Sequence, residues 1–291
     1  MNRPGGDDLK WLKDNYTLHP LVTSELARPT FYPKAENYSD HIFLILRFPQ
    51  FNGIVHEIKA SEIDLIILPN ELIIVQYNEF SALDLLLKKI EEDPALRNEY
   101  FESSGAFVAY KILEHLFASL YKEMEHIGQT VDDLEDHLLN RDKAEELVSE
   151  ISLLRREAID FKRIVSPNLT ILEELKDKPG EVFEKKFYPY IHKLYTINSR
   201  LINFIDGQIT TLQVINETNE SLLSHKISSI MKVLTMFSVI VFPLTLFATV
   251  WGMNVEHMPL VGHPFDFWLL LIMMGLGTLG MLVLFKIKKW L

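Results

Sequence analysis

Residues 233–285 read VLTMFSVIVFPLTLFATVWGMNVEHMPLVGHPFDFWLLLIMMGLGTLGMLVLF. Two stretches of 19 residues within them carry no charge, Val233–Trp251 and Phe267–Phe285. A helix needs about 20 apolar residues to cross the hydrocarbon core of a bilayer. The core helix of a soluble protein rarely runs so far without a charge, so both runs are predicted to span a membrane. Lys226 and Lys232 precede the first run, and Lys286, Lys288 and Lys289 follow the second. The linker 252–266 has neither Lys nor Arg. Positive residues stay on the cytoplasmic side. Both termini are therefore predicted to lie in the cytoplasm of a multi-pass protein of the cell membrane, with 252–266 as the external loop. Trp251, Trp268 and Trp290 fall at the span ends, where indole rings favour the interface. Pro243 is expected to bend or loosen the first span.

A polar stripe runs along the first span. Alternating steps of four and three residues from Glu217 reach Ser221, Ser224, Ser228, Met231, Thr235, Ser238, Phe242, Thr245 and Thr249. All but Met231 and Phe242 are polar. A period of 3.5 residues keeps one seam facing a partner or an axis in a left-handed bundle. At 1.5 Å per residue the seam is roughly 48 Å long. Ser and Thr in membrane helices also bond back to their own helix or pack against neighbours, which is the plainer reading. A stripe of this length that leads to Asn254 fits a wetted surface. Two helices per chain cannot enclose water, so a pore requires a closed ring of copies.

The rest of the chain has a different character. The formal charge is −11 overall. Residues 226–291 carry five lysines and two acids, a net of +3, which leaves −14 on residues 1–225. An acidic body argues against nucleic acid, whose phosphates need clustered Lys and Arg. It suits cations, and equally it serves solubility. Cysteine is absent, so disulfides and thiolate zinc sites are excluded. MNRPGGDDLK at the start has no apolar core of a signal peptide.

Three regions are expected: a small α/β cytosolic domain at 1–105, a helical funnel and stalk at 106–231, and a two-helix membrane domain at 232–291. HIFLILRFP (41–49) and EIDLIILPNELIIVQYN (62–78) read as paired strands, the second broken by a turn at Pro69-Asn70. ALDLLLKKIEEDP (82–94) reads as a helix. From about 107 the apolar spacing is helical, with breaks expected at Ser166-Pro167 and Lys178-Pro179-Gly180. The last helix is expected to start near Phe187 and to run about 65 residues into the membrane, well beyond the globular mean. The fold class is thus an α+β membrane protein with a long helical stalk.

No catalytic constellation is present, and no enzyme is expected. There is no HExxH, GxGxxG or Walker sequence. His19, before Pro20, reads as structural. The cluster TVDDLEDHLL (130–139) offers carboxylates to a hard cation, but a solvated helix face explains it as well.

Gly252-Met253-Asn254 between two terminal spans resembles the hallmark of the CorA family of magnesium transporters. So do the flanking MKVLTMFSVIVFPLTLFATVWGMNVEHMP and the closing FKIKKWL. LHPL (18–21), EIDLIILPNELIIV (62–75) and LRREAIDFKRIVSP (154–167) are similar to family segments too. The resemblance implies a homopentamer with Gly252, Met253 and Asn254 as selectivity filter. It implies that Ser228, Met231, Leu234, Phe242, Thr245 and Asn254 face the pore, with Glu217 at a position the family often fills with an acid. Four positions depart from the family pattern. Ser228 replaces Asn, Phe242 replaces Met, and Leu260 stands where a second Glu follows Met-Pro. Lys193 stands where an acid of the regulatory metal site can lie.

The implied activity is Mg²⁺ influx down the membrane potential, with Mg²⁺ also a regulatory ion and no other cofactor. Co²⁺, Ni²⁺ or Zn²⁺ transport is the competing preference, and a non-transporting helical scaffold is the competing class. Mg²⁺ sheds its water reluctantly. Asn254 is therefore expected to hold the ion through its waters, with the Gly252 and Met253 carbonyls beside it. Glu256 is expected to draw cations to the mouth. Ser238, Thr245 and Thr249 continue the lining, while Met231 and Leu234 are expected to gate by dewetting. Gly252 is expected to leave the helix through a positive φ.

Overall fold

A computed structural model describes residues 1–52, 57–101, 104–139, 144–177, 187–255, 262 and 264–290. The chain forms two compact units, Met1–Glu217 and Thr218–Leu291.

The first unit opens with two short helices, α1 (Gly6–Asn15) and α2 (Pro20–Glu25). Four strands follow: β1 (Lys34–Asn37), β2 (Ile42–Asn52), β3 (Glu57–Ile67) and β4 (Leu72–Gln76). They form one antiparallel meander in the order β1-β2-β3-β4. The turn predicted at Pro69-Asn70 joins β3 to β4 and is closed by the Leu68 amide donating to the Glu71 carbonyl at 3.0 Å. Helices α3 (Ser81–Glu92), α4 (Pro94–Phe101), α5 (Gly105–Leu139) and α6 (Ala144–Asp177) come next. The last helix, α7 (Tyr188–Trp251), begins in this unit and ends in the second.

Both faces of the sheet are covered, which is why β2 and β3 read as nearly continuous apolar runs rather than alternating ones. On one face Phe43, Ile45, Ile66 and Val75 pack with Leu12 of α1 and Val22 of α2. On the other face Phe48 lies against Phe80 and Phe117, with ring centroids 5.8 and 5.2 Å away. Each fully buried Phe contributes about 2–3 kcal/mol of burial. Helix α5 starts flush against the β3–β4 turn. The Gly105 amide donates to the Pro69 carbonyl at 3.1 Å, and a Cβ at Gly105 would lie 2.2 Å from the Glu71 carbonyl oxygen.

One expected break is absent. Helix α6 continues through Ser166-Pro167 to Asp177. A proline inside a helix removes one backbone bond and crowds the carbonyl four residues earlier. Here neighbours hold the helix in place: Asn198 of α7 donates to the Val165 carbonyl at 3.4 Å, and Asn168 is anchored on β2. Phe161, Val165 and Leu172 beside them are buried. The other expected break, Lys178-Pro179-Gly180, lies outside the described residues, directly after the end of α6.

The second unit holds the remainder of α7 and one further helix, α8 (Asp266–Ile287). Both are long and apolar enough to cross a membrane. Helix α7 runs through Pro243 without ending. The long helix expected from near Phe187 to the membrane is thus one element of 64 residues.

Candidate functional site

Along α7 the half-covered residues from Lys232 onward are Lys232, Met236, Ile240, Leu244, Phe247 and Trp251. Along α8 they are Asp266, Leu270, Met274, Thr278 and Met281, with Phe285 buried. Steps of four and three make a single stripe on each helix. The Lys232 ammonium donates to the Lys289 carbonyl at 3.3 Å, which ties the start of the α7 stripe to the chain after α8.

The polar seam lies elsewhere on α7. Glu217, Ser221, Ser224, Ser228, Met231, Thr235, Ser238, Phe242, Thr245 and Thr249 are all exposed, Phe242 to 73% and Met231 to 54%. Leu234, beside the seam, is 55% exposed. At 100° per residue, the seam from Met231 to Thr249 sits roughly 170° around the helix from the covered stripe. The face that the sequence marks as polar is therefore part of the surface that this chain leaves bare, together with flanking apolar residues such as Val233 and Phe237.

From Thr235 onward its hydroxyls share one arrangement. Thr235 donates to the Met231 carbonyl at 2.7 Å and Ser238 to that of Leu234 at 2.9 Å. Thr245 donates to the Val241 carbonyl at 2.9 Å, and Thr249 to those of Thr245 and Leu246 at 2.9 and 2.8 Å. This is the back-bonding that the plainer reading of the stripe anticipated. It spends each proton on the helix itself and leaves oxygen lone pairs facing outward. Glu217, the last residue of the first unit, accepts from Gln213 Nε2 at 3.0 Å.

At the end of α7 the backbone tightens in three steps. The Gly252 amide keeps the helical bond to the Ala248 carbonyl at 2.9 Å. The Met253 amide then bonds three residues back, to Val250 at 3.3 Å. The Val255 amide reaches the Met253 carbonyl at 3.1 Å, which puts Asn254 at the apex of a γ-turn. Gly252 is not in the left-handed region, contrary to expectation; positive φ occurs at Arg3, Lys289 and Gly262 among the described residues. The demand at Gly252 is space, because a Cβ would lie 3.1 Å from the Ala248 carbonyl oxygen. Met253 and Asn254 are exposed, and the Asn254 carboxamide makes no hydrogen bond among the described residues. Glu256 lies outside the described residues. Trp251 stacks on Phe247, 4.2 Å between centroids, on the covered stripe directly before the turn.

Of the other singled-out positions, Leu260 lies outside the described residues. His19 caps α2, its Nδ1 accepting from the Leu21 amide at 3.3 Å, and it stacks on Tyr38. In 130–139 the acids Asp132, Asp133, Glu135 and Asp136 are all exposed. Among the described residues no three His, Asp or Glu side chains are placed to hold a metal ion. Lys193 forms an ion pair with Glu114, which also accepts from the Tyr110 hydroxyl at 2.7 Å.

A family model described as "CorA-like Mg2+ transporter protein" matches residues 1–289. The chain is 25% identical over 276 residues to the cobalt/magnesium transport protein CorA of Thermotoga maritima, covering 95% of this chain and 78% of that one. It is 20% identical over 285 residues to the zinc transport protein ZntB of Yersinia enterocolitica, covering 98% and 85%. The fold is similar to the complete structure of the CorA magnesium transporter from Methanocaldococcus jannaschii, with a TM-score of 0.84 at 22% identity over 100% of this chain and 90% of that one.

Proposed function

This chain belongs to the CorA-like Mg²⁺ transporter family and is a divalent-cation transporter of the membrane; from that premise we propose that it conducts hydrated Mg²⁺ inward through a ring of copies of α7. The observation that carries the reading is the bare polar face of α7, turned roughly 170° from the stripe that is half-covered. Further copies of the chain around an axis would turn this face toward water rather than lipid. A closed homopentamer, with α7 innermost and both termini in the cytoplasm, does so.

In this arrangement five Asn254 carboxamides ring the outer mouth. Their oxygens accept hydrogen bonds from the waters of the ion, so Mg²⁺ keeps its shell and avoids the cost of dehydration. Gly252 lets the turn close tightly against Ala248. The Met253 carbonyl already accepts from Val255, which leaves its second lone pair and the Gly252 carbonyl for ion-bound water. Neutral oxygens hold such an ion weakly enough to release it. Thr249, Thr245 and Ser238 pass it inward. Phe242, Met231 and Leu234 form the apolar constrictions, and Ser228 and Glu217 follow toward the cytoplasm. Glu256 at the outer rim raises the local cation concentration. The membrane potential drives entry with about 2.3 kcal/mol per charge per 100 mV, twice that for a divalent ion.

The relatives named for zinc or cobalt make Zn²⁺ and Co²⁺ the competing cargoes. Flux into proteoliposomes carrying the purified protein tests the reading, with Mg²⁺, Co²⁺, Ni²⁺ and Zn²⁺ offered singly and in competition. Mg²⁺ uptake that rises with inside-negative potential is the expected result. Uptake of Zn²⁺ without Mg²⁺ would reassign the cargo, and no uptake of any of the four would end the transport reading.

A further inference from the structure

The first unit holds a group of ionisable side chains that transport does not use. Glu62 and Asp64 are two residues apart on β3, so they share a face with Cα atoms about 6.6 Å apart. They are 5% and 0% exposed. Their face is the one covered by α1 and α2, beside Leu12, Leu26, Ile66 and Tyr77. One oxygen of each is satisfied. The Thr30 amide donates to Glu62 Oε1 at 2.7 Å, and the Tyr77 hydroxyl donates to Asp64 Oδ2 at 2.7 Å. The other two, Glu62 Oε2 and Asp64 Oδ1, are buried with no hydrogen-bond partner among the described residues.

The charges around the pair are only partly committed elsewhere. From β2, Arg47 is the cross-strand partner of Glu62; its Nη1 donates to the Phe31 carbonyl at 3.1 Å, and its Nε is buried with no partner among the described residues. From β1, Lys34 is paired with Glu36 at 2.8 Å and with Glu25 of α2. Tyr77, after β4, faces Asp64, and α1 adds only apolar Leu9 and Leu12 to the cluster. Two buried carboxylates beside one cation do not both ionise cheaply. Burial raises both, each to about 7; the Thr30 amide and Arg47 offset it in part at Glu62, and the Tyr77 hydrogen bond does so at Asp64. Protonation of either carboxyl removes the cost of holding its charge in the buried site.

We propose that Glu62 and Asp64 are a pair of buried proton-binding carboxyls that keep the segment between α2 and β1 closed on the sheet while neutral, and that the segment opens to hydrate them once they are charged. Bonds of that segment run to the group around the site: the Thr30 amide to Glu62 and Arg47 to the Phe31 carbonyl, while the Tyr77 hydroxyl, which donates to Asp64 at 2.7 Å, also lies 3.3 Å from the Leu26 carbonyl. In the unfolded chain both carboxyls titrate near pH 4. The folded chain therefore holds extra protons on the pair between about pH 4 and pH 7. Their contribution to stability is complete below about 4 and fades as pH rises through 7.

Hydrogen exchange of the full-length protein in detergent, at about pH 6 and pH 8.5 and corrected for intrinsic rates, tests this directly. Amides 26–33 should exchange about tenfold faster at the higher pH. Asp64→Asn and Glu62→Gln should each reduce the step, and the double variant, neutral at both pH values, should remove it. No step in the unmodified protein, or an unchanged step in the variants, overturns the proposal. If no variant folds, infrared titration of the unmodified protein decides. A protonated-carboxyl band present at pH 6 and lost by pH 8.5 supports the site, and its absence at pH 6 refutes it.

Discussion

Asn168 replaces a missing strand for Arg47. Its Oδ1 accepts from the Arg47 amide at 3.1 Å, and its Nδ2 donates to the Arg47 carbonyl at 2.6 Å, across 121 residues of sequence. β1 reaches only to Lys34, opposite Ile45, so on its β1 side β2 has no strand at Arg47, while β3 pairs it on the other side. A carboxamide offers a donor and an acceptor side by side, as a peptide group does, and here a helix supplies it.

Asn168→Ala should therefore destabilise the protein by about 2–4 kcal/mol, because it strands a buried amide and carbonyl together. Denaturant unfolding of the purified protein measures this. A loss below about 0.5 kcal/mol would mean that water takes over both groups.

Gly105→Ala should cost at least about 1–3 kcal/mol. The added methyl would meet the Glu71 and Leu68 carbonyl oxygens at 2.2 and 2.3 Å, and neither is a flexible side-chain end. Thermal unfolding should show a lower midpoint for Gly105→Ala, whereas Gly207→Ala, where a Cβ meets nothing within 4 Å, should not fall.

Asn254→Ala should abolish Mg²⁺ uptake into proteoliposomes while leaving the assembly intact by size-exclusion chromatography, because the side chain is exposed and makes no hydrogen bond among the described residues. Undiminished uptake would remove Asn254 from the path of the ion.

Thr245→Val and Thr278→Val form a matched pair. Each threonine donates to the carbonyl four residues earlier at 2.9 Å, but Thr245 lies on the bare seam of α7 and Thr278 on the half-covered stripe of α8. Thr245→Val should lower flux about threefold to tenfold, the worth of one hydrogen bond to the hydrated ion. Thr278→Val should leave flux unchanged. Equal effects would mean that the seam has no special relation to the path.

The spans, the seam and the length of α7 were legible because each is a local pattern: uncharged length, a 3.5-residue period, and the absence of a stop between Tyr188 and Trp251. The continuation of α6 past Pro167 was not. What sustains it, Asn198 and the anchoring of Asn168 on β2, comes from elements far away in sequence. Gly252 misled for a related reason. A glycine at a helix end usually signals a left-handed residue, but here the turn tightens at Met253 and folds at Asn254 instead. Glu62 and Asp64 gave the weakest signal of all. Acids at alternate positions of a strand look like a solvent-facing edge, and only the covering by α1 and α2 buries them.

The protons of Thr235, Ser238, Thr245 and Thr249 are all spoken for by their own helix. A corridor lined this way has nothing to offer chloride or phosphate, which need donors, while it welcomes the outward-pointing hydrogens of water around a metal. Discrimination by the sign of the permeating species would thus arise from hydrogen-bond polarity alone, along a stretch that holds no formal charge.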